Sequence, residues 1–232
     1  MIRTAVALIP ARGGSEGIPR KNLAEVGGIS LLERAIRSAT GCPHVSSVVV
    51  SSDAKEVRDT AKKLGAIPID RSTELSLGAT RAEAVVEHFL ATPEASTLDA
   101  SDLIVYLQPT SPFRSSSHVA AALEAMYSAQ ADFLVSVKEA SEHPAKTLSI
   151  DESGVLTAAP FSGDSSANRQ ELPSFHYPNG AIYAFTLSAF QRDNMIPVVG
   201  ALPFIMDACE SLDIDTPDDL MVARAVADYA HI

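Results

Sequence analysis

The sequence predicts an α/β protein built on a doubly wound, mostly parallel sheet. Three observations predict it. Apolar runs without polar alternation, at residues 5–9, 48–50 and 103–107, have the length and composition of strands buried on both faces. Segments with helical apolar spacing separate them, at the interval of right-handed strand–helix–strand units. The strands deliver Arg12, Asp53, Arg71 and Gln108 just beyond their ends, which is where open α/β sheets bind ligands.

The first run, Ala5-Val6-Ala7-Leu8-Ile9, stops at Pro10, which has no N–H to give to a ladder. Arg12, Gly13, Gly14, Ser15 and Gly17 follow, and then Pro19-Arg20-Lys21-Asn22. Glycines let the backbone approach closely and present N–H groups, while Arg12, Arg20 and Lys21 supply positive charge, so the loop suits an anion. The plainer alternative is a tight turn with surface cations. The spacing matches neither G-x-x-x-x-G-K-[ST] nor a G-x-G-x-x-G that opens directly into a helix.

Ser30 can cap a helix through Thr40, with Leu31, Leu32, Ala35 and Ile36 on one face and Gly41 and Pro43 closing it. Residues 48–50 form a second strand, 55–64 a short amphipathic helix stopped by Gly65, and 66–69 a third strand leading to Asp70 and Arg71. A helix over 80–90, a strand over 103–107, a helix capped by Ser117 and running to 128, and a strand over 133–137 continue the alternation. From Glu139 to Asn179 the pattern changes. His143-Pro144, Pro160, Gly163, Pro173 and Pro178 punctuate a segment too long for a simple loop, hence a lid or a small protruding subdomain. Strand returns over 179–185, with a further short one at Phe204 and Ile205. Thr216 and Pro217 are a natural N-cap and first residue for a final helix to about Ala230.

Composition narrows the function. A chain of 232 residues with 46% hydrophobic content and no long uninterrupted apolar segment suits one soluble domain. No export signal is read at the amino terminus, and two isolated cysteines fit a reducing cytoplasm, without a disulfide framework or zinc site. A net charge of -11 argues against nucleic acid as the main partner. The useful cations are therefore expected around a small anionic ligand. Near the other end, Asp213-Ile214-Asp215 points two carboxylates the same way if extended, an arrangement that Mg²⁺ resolves by sharing carboxylate and phosphate oxygens. Alternatively, Asp215 and Asp218 merely sit at a helix N-terminus, where the macrodipole favours acids.

The loop A-R-G-G-S-E-G-I-P-R-K-N resembles the signature of the acylneuraminate cytidylyltransferases, the CMP-sialic acid synthetases. L-Q-P-T-S-P at 107–112, H-P-x-K at 143–146, R-Q-x-L-P at 169–173, P-N-G-A-I-Y at 178–183 and S-x-D-I-D-T at 211–216 resemble the same family in the same order. The resemblance implies a Rossmann-like nucleotidyltransferase fold with a small inserted dimerisation subdomain at about 139–179. It implies an enzyme joining CTP to a 2-keto-3-deoxy nine-carbon acid sugar with Mg²⁺ and releasing pyrophosphate. It also implies a homodimer in which the insertion of one subunit reaches over the site of the other; the sequence leaves further pairing of dimers open.

Carried over by position, the resemblance places Arg12 and Lys21 on the nucleotide phosphates, and Gly13, Gly14, Ser15, Asn22, Arg71, Thr80 and Gln108 on the nucleotide. Gln108, Lys146, Arg169 and Tyr183 would line the sugar site, with Arg169 reaching across from the partner subunit. Asp213 and Asp215 would hold Mg²⁺, and Arg12, Lys21, Arg169 and Asp215 would carry the catalysis. Three departures stand out: Glu16 where the family usually has lysine, and Gly78 and Ala82 where polar residues are common. Besides sialic acid, two readings remain in view. One is the same chemistry on a legionaminic, pseudaminic or keto-deoxy-octulosonic acid or with another nucleotide; the other is a non-catalytic nucleotide-binding relative.

Overall fold

A computed structural model describes residues 4–14, 17–78, 80–159 and 172–230 of the chain. Ser15, Glu16 and Arg169 lie outside the described residues. In chain order the strands are β1 (Ala5–Pro10), β2 (Glu25–Val26), β3 (Ile29–Ser30), β4 (Val45–Ser52), β5 (Ile67–Asp70), β6 (Leu103–Tyr106), β7 (Phe133–Glu139), β8 (Leu148–Ile150), β9 (Leu156–Ala158), β10 (His176–Thr186) and β11 (Leu202–Ile205). The helices are α1 (Leu31–Thr40), α2 (Lys55–Lys63), α3 (Ala82–Leu90), α4 (Ser116–Ala129), α5 (Leu187–Asp193) and α6 (Pro217–Ala230).

Among the described residues seven strands form one sheet in the order β11-β7-β10-β6-β1-β4-β5. All its neighbours run parallel except around β10, which is antiparallel to both β6 and β7. The sheet is therefore mixed and mainly parallel, in keeping with the mostly parallel sheet expected. A periodicity of buried residues does not report strand direction, and the excursion between β7 and β10 lets the chain return reversed.

The central strands β1 and β6 are buried on both faces, as their unbroken apolar character requires. In β1, Ala5, Ala7 and Ile9 join the core under α1, α2 and α4, while Val6 and Leu8 join the core under α3 and α5. A third, smaller cluster brings Ile18, Val26 and Leu31 together with Ile214, Leu220, Ala223 and Ala227. It packs α6 beneath the amino-terminal loop and so fixes the two ends of the chain side by side.

The local caps differ from expectation at one helix. Ser30 caps α1 by accepting from the Glu33 amide, as expected. At α4 the cap is Ser115, not Ser117: its hydroxyl accepts from the His118 amide while the His118 ring accepts from the Ser115 amide. Ser117 is drawn into this cap through its hydroxyl. Helix α5 was not anticipated; Thr186 starts it by accepting from the Ala189 amide. Between β7 and β10 the described residues include one short antiparallel hairpin, β8 with β9.

Candidate active site

The parallel strands β1, β4 and β5, with β6, end on one edge of the sheet, and a cleft of about 220 Å³ opens beyond them. Arg12, Lys21, Asn22, Arg71, Thr80, Tyr106, Gln108, Thr110 and Asp215 are among its lining residues. A larger concavity of about 590 Å³ lies at the opposite edge, against Leu103, Tyr127, Gln130, Asp132 and Thr186, and no Lys or Arg lines it.

The basic side of the cleft is built from three strand ends. Gly13 sits so close to β4 that a side-chain carbon there would lie 2.5 Å from Ala54 Cβ, and its amide donates to Asp53 Oδ1 at 2.8 Å. That amide is thus engaged with Asp53 in this structure, and Gly13 supplies close packing against Ala54. Asn22 is buried and its Nδ2 donates to the Arg12 carbonyl at 2.8 Å, so it shapes the loop that carries Arg12. Arg71, 4% exposed, donates from Nε to Ser76 Oγ at 3.1 Å. Burial lowers its pKa; Tyr106 and Asp53 oppose that, and Arg12 adds to it. Two guanidiniums close enough to disfavour each other form a receptor for an anion.

The acidic side faces them. Ile214 is fully buried in the third cluster, which leaves Asp213 and Asp215 on the other side of the extended strip. Asp213 is pulled inward: burial raises its pKa, Thr110 opposes, Asp215 adds to the rise, and Lys21 opposes. Its Oδ1 is buried without a hydrogen-bond partner. Asp215 is exposed and Lys21 Nζ stands 3.1 Å from its Oδ1 and 2.9 Å from the Ile214 carbonyl. A buried, unpartnered carboxylate oxygen beside a second carboxylate is a donor set that fits a hard divalent cation completed by phosphate and water oxygens.

Between the two sides runs a bulge in β10. From Pro178 to Tyr183 that strand advances five residues while β7 advances two, from Val137 to Val135. The extra residues carry Gly180 at φ 75°, where a side-chain carbon would lie 3.0 Å from Gln108 Oε1 and 3.3 Å from Asp213 Oδ2. The bulge is held by buried polar groups. Asn179 Oδ1 accepts from Ser136 Oγ at 2.5 Å, and Asn179 Nδ2 donates to Ser211 Oγ at 2.8 Å. Ser211 thereby ties the bulge to the strip that leads into Asp213.

A family model described as cytidylyltransferase matches residues 6–157. The chain belongs to the cytidylyltransferase family. An N-acylneuraminate cytidylyltransferase of Streptococcus agalactiae is 29% identical over 97% of this chain and 54% of its own length. The chain thus spans about half the length of the first curated relatives it matches. A CMP-N,N'-diacetyllegionaminic acid synthase of Legionella pneumophila is 31% identical over 92% of each chain. In fold, the chain is similar to a solved CMP:2-keto-3-deoxy-manno-octonic acid synthetase, with a TM-score of 0.71 at 19% identity over 98% of this chain and 99% of that one.

The cleft gathers Arg12, Lys21, Asn22, Arg71, Thr80, Gln108 and Asp215 directly. Asp213 borders it through Thr110 and Gly180. Tyr183 stands behind Tyr106, edge-on with ring centroids 6.5 Å apart, and burial raises its hydroxyl pKa. Space around Gly14 is open. Arg20 is turned to an exposed ion pair with Glu56, so the loop contributes two cations to the cleft rather than three. Lys146 is exposed on the single turn Pro144–Lys146 and does not line the cleft. Asp53, Tyr106 and Asn179 act here without having been assigned a role from sequence. A strand-end position was the one signal available for Asp53.

Proposed function

We infer that the protein transfers a cytidylyl group from CTP to a 2-keto-3-deoxy acid sugar, releasing pyrophosphate, with an N-acylneuraminate as the first acceptor to test. The observation that carries this reading is the gathering of Arg12, Lys21, Arg71 and Asp215 in one cleft, with the buried Asp213 beside Asp215 and Lys21. Cations for a triphosphate and a carboxylate for a metal or a proton line the same cleft. Family membership supports CTP as the donor.

In this reading the anomeric hydroxyl oxygen of the sugar bonds to the α-phosphorus as the bond to departing pyrophosphate breaks. Arg12, Lys21 and Arg71 bind and neutralise the phosphates, and the chain contributes chiefly position and charge. Asp215, which is exposed and lines the cleft, would assist loss of the hydroxyl proton. Mg²⁺ held by Asp213 and Asp215 would neutralise phosphate charge; the unpartnered Asp213 Oδ1 supports that assignment. Gln108 and Tyr183 stand on the acceptor side. Lys146 and Arg169 of the partner subunit would complete it in a homodimer, a reading supported by the apolar residues that the β8–β9 hairpin exposes.

The test is pyrophosphate release by the purified protein with Mg²⁺, CTP and a panel of nonulosonic and octulosonic acids, with GTP alongside. Release with CTP and N-acetylneuraminate confirms the reading. Release only with a diacetylated legionaminate moves it to the second acceptor, favoured by a relative matched over nearly its full length. CTP binding without release from any acid removes the enzymatic reading.

A further inference from the structure

Arg114 is 3% exposed, and it lies in none of the ion pairs among the described residues. Removing a guanidinium from water without a paired carboxylate costs several kcal/mol, so order-of-magnitude reasoning expects an apolar residue there unless the charge has a use. Its hydrogen bonds show the use. Nε donates to Ser38 Oγ on α1 at 3.1 Å. Nη1 donates twice, to the Gln108 carbonyl at 2.8 Å and to the Ala181 carbonyl at 2.8 Å.

Those two carbonyls belong to the two walls of the acceptor side. Gln108 ends the segment after β6, and Ala181 lies inside the β10 bulge next to Gly180, which separates Gln108 Oε1 from Asp213 Oδ2. One nitrogen thus pins both walls from behind, and α1 pins the guanidinium. Asp213 is the carboxylate whose charge reaches Arg114, and each leaves one buried atom unpartnered, Nη2 and Oδ1.

We propose that Arg114 is a positioning residue of the transfer reaction, setting the separation of Gln108 from the Gly180–Asp213 wall through the two main-chain carbonyls. The proposal rests on the cytidylyl-transfer reading for its kinetic consequence, not for its geometry. It touches neither nucleotide nor sugar. Its loss therefore affects the acceptor geometry at transfer, while Arg12, Lys21 and Arg71 still hold CTP.

Full-length R114M and R114K test it by hydrogen exchange, CTP calorimetry and pyrophosphate-release kinetics. In R114M, exchange is expected to rise about tenfold together in peptides covering 107–113 and 178–183, with α4 unchanged. CTP affinity stays within about threefold while kcat falls about 100-fold, the scale of an ångström misplacement. R114K, which keeps the charge but not the planar fork, recovers about tenfold of the kcat loss. Exchange that rises equally across the molecule or nowhere, or a parental kcat in R114M, overturns the proposal. Should R114M fail to fold, parental exchange and kcat in R114K overturn it by themselves. If the parent releases no pyrophosphate with any acid, the functional reading fails, and the exchange pattern still decides the clamp.

Discussion

The cost of the site is concentrated in single residues. Asp213 is a carboxylate drawn out of water with one oxygen unpartnered and another carboxylate, Asp215, nearby. Without a cation it opposes folding. Asp213→Asn is expected to raise the thermal midpoint of the metal-free protein at pH 7–8 by about 2–4 °C, the shift that follows from about 1 kcal/mol in a chain of this size. Pyrophosphate release falls to background in the same variant. A lowered midpoint would mean that Asp213 is held by partners other than a cation. Gly180 carries the complementary constraint. At φ 75° an alanine is strained by about 1–2 kcal/mol. Its methyl group would also press on Gln108 Oε1 from 3.0 Å. Gly180→Ala is expected to lower kcat about 100-fold with CTP affinity nearly unchanged, read by steady-state kinetics and calorimetry. An equal loss in CTP affinity would place the bulge on the nucleotide instead.

At the scale of elements, α6 is what holds the acidic strip against the basic loop. Its start is a reciprocal cap: the Asp219 amide donates to Thr216 Oγ1 at 3.2 Å, and Asp219 Oδ2 accepts from the Thr216 amide at 2.8 Å. The hydrogen bonds from Thr216 hold the Asp219 pKa below the ordinary carboxylate range. The sign follows directly. The contribution is present in full above the unfolded carboxylate pKa of about 4 and is lost as pH falls through the lower folded value. Thr216→Ala is expected to cost about 1 kcal/mol at pH 7 by denaturant unfolding, and measurably less near pH 3. An equal cost at both values would assign the effect to the hydroxyl alone. Elements such as α1 and α6 were legible because Ser30 and Thr216 announce them and their apolar faces are regular. Helix α5 was not, since Leu187–Asp193 is barely two turns and follows a strand without a breaker. Arg12 and Gln108 were legible as residues just past strand ends. Arg114 was not, because an arginine reads as surface until the carbonyls that surround it are known.

For the whole molecule, the direction of β10 decides how the site is completed. A return strand antiparallel to its neighbours lets the chain leave the sheet after Glu139 and rejoin it at His176, at the edge where the cleft lies, since these two residues pair. The mostly parallel sheet expected from sequence is present, but which strand runs antiparallel was not legible, because apolar runs of either direction look alike. The described residues of the excursion expose apolar side chains. Leu148, Ile150, Val155 and Leu156 are 49%, 71%, 58% and 63% exposed around the β8–β9 hairpin, with Phe175 and Tyr177 also exposed. A two-stranded ribbon has no interior of its own, so these side chains gain from a partner surface. A second copy is the partner that the homodimer reading supplies, and it would carry Lys146 and Arg169 toward the neighbouring cleft. Leu156→Glu tests this at little risk to the fold, because an exposed position changes stability by about 0.5 kcal/mol or less. Light scattering is expected to report a dimer for the parent and a monomer for the variant. With that change, KM for the acid sugar should rise at least about tenfold while CTP affinity holds, since Arg12, Lys21 and Arg71 belong to one subunit. A variant that stays dimeric, or a monomer with parental KM, would confine the acceptor site to a single chain and leave Lys146 without a part in it.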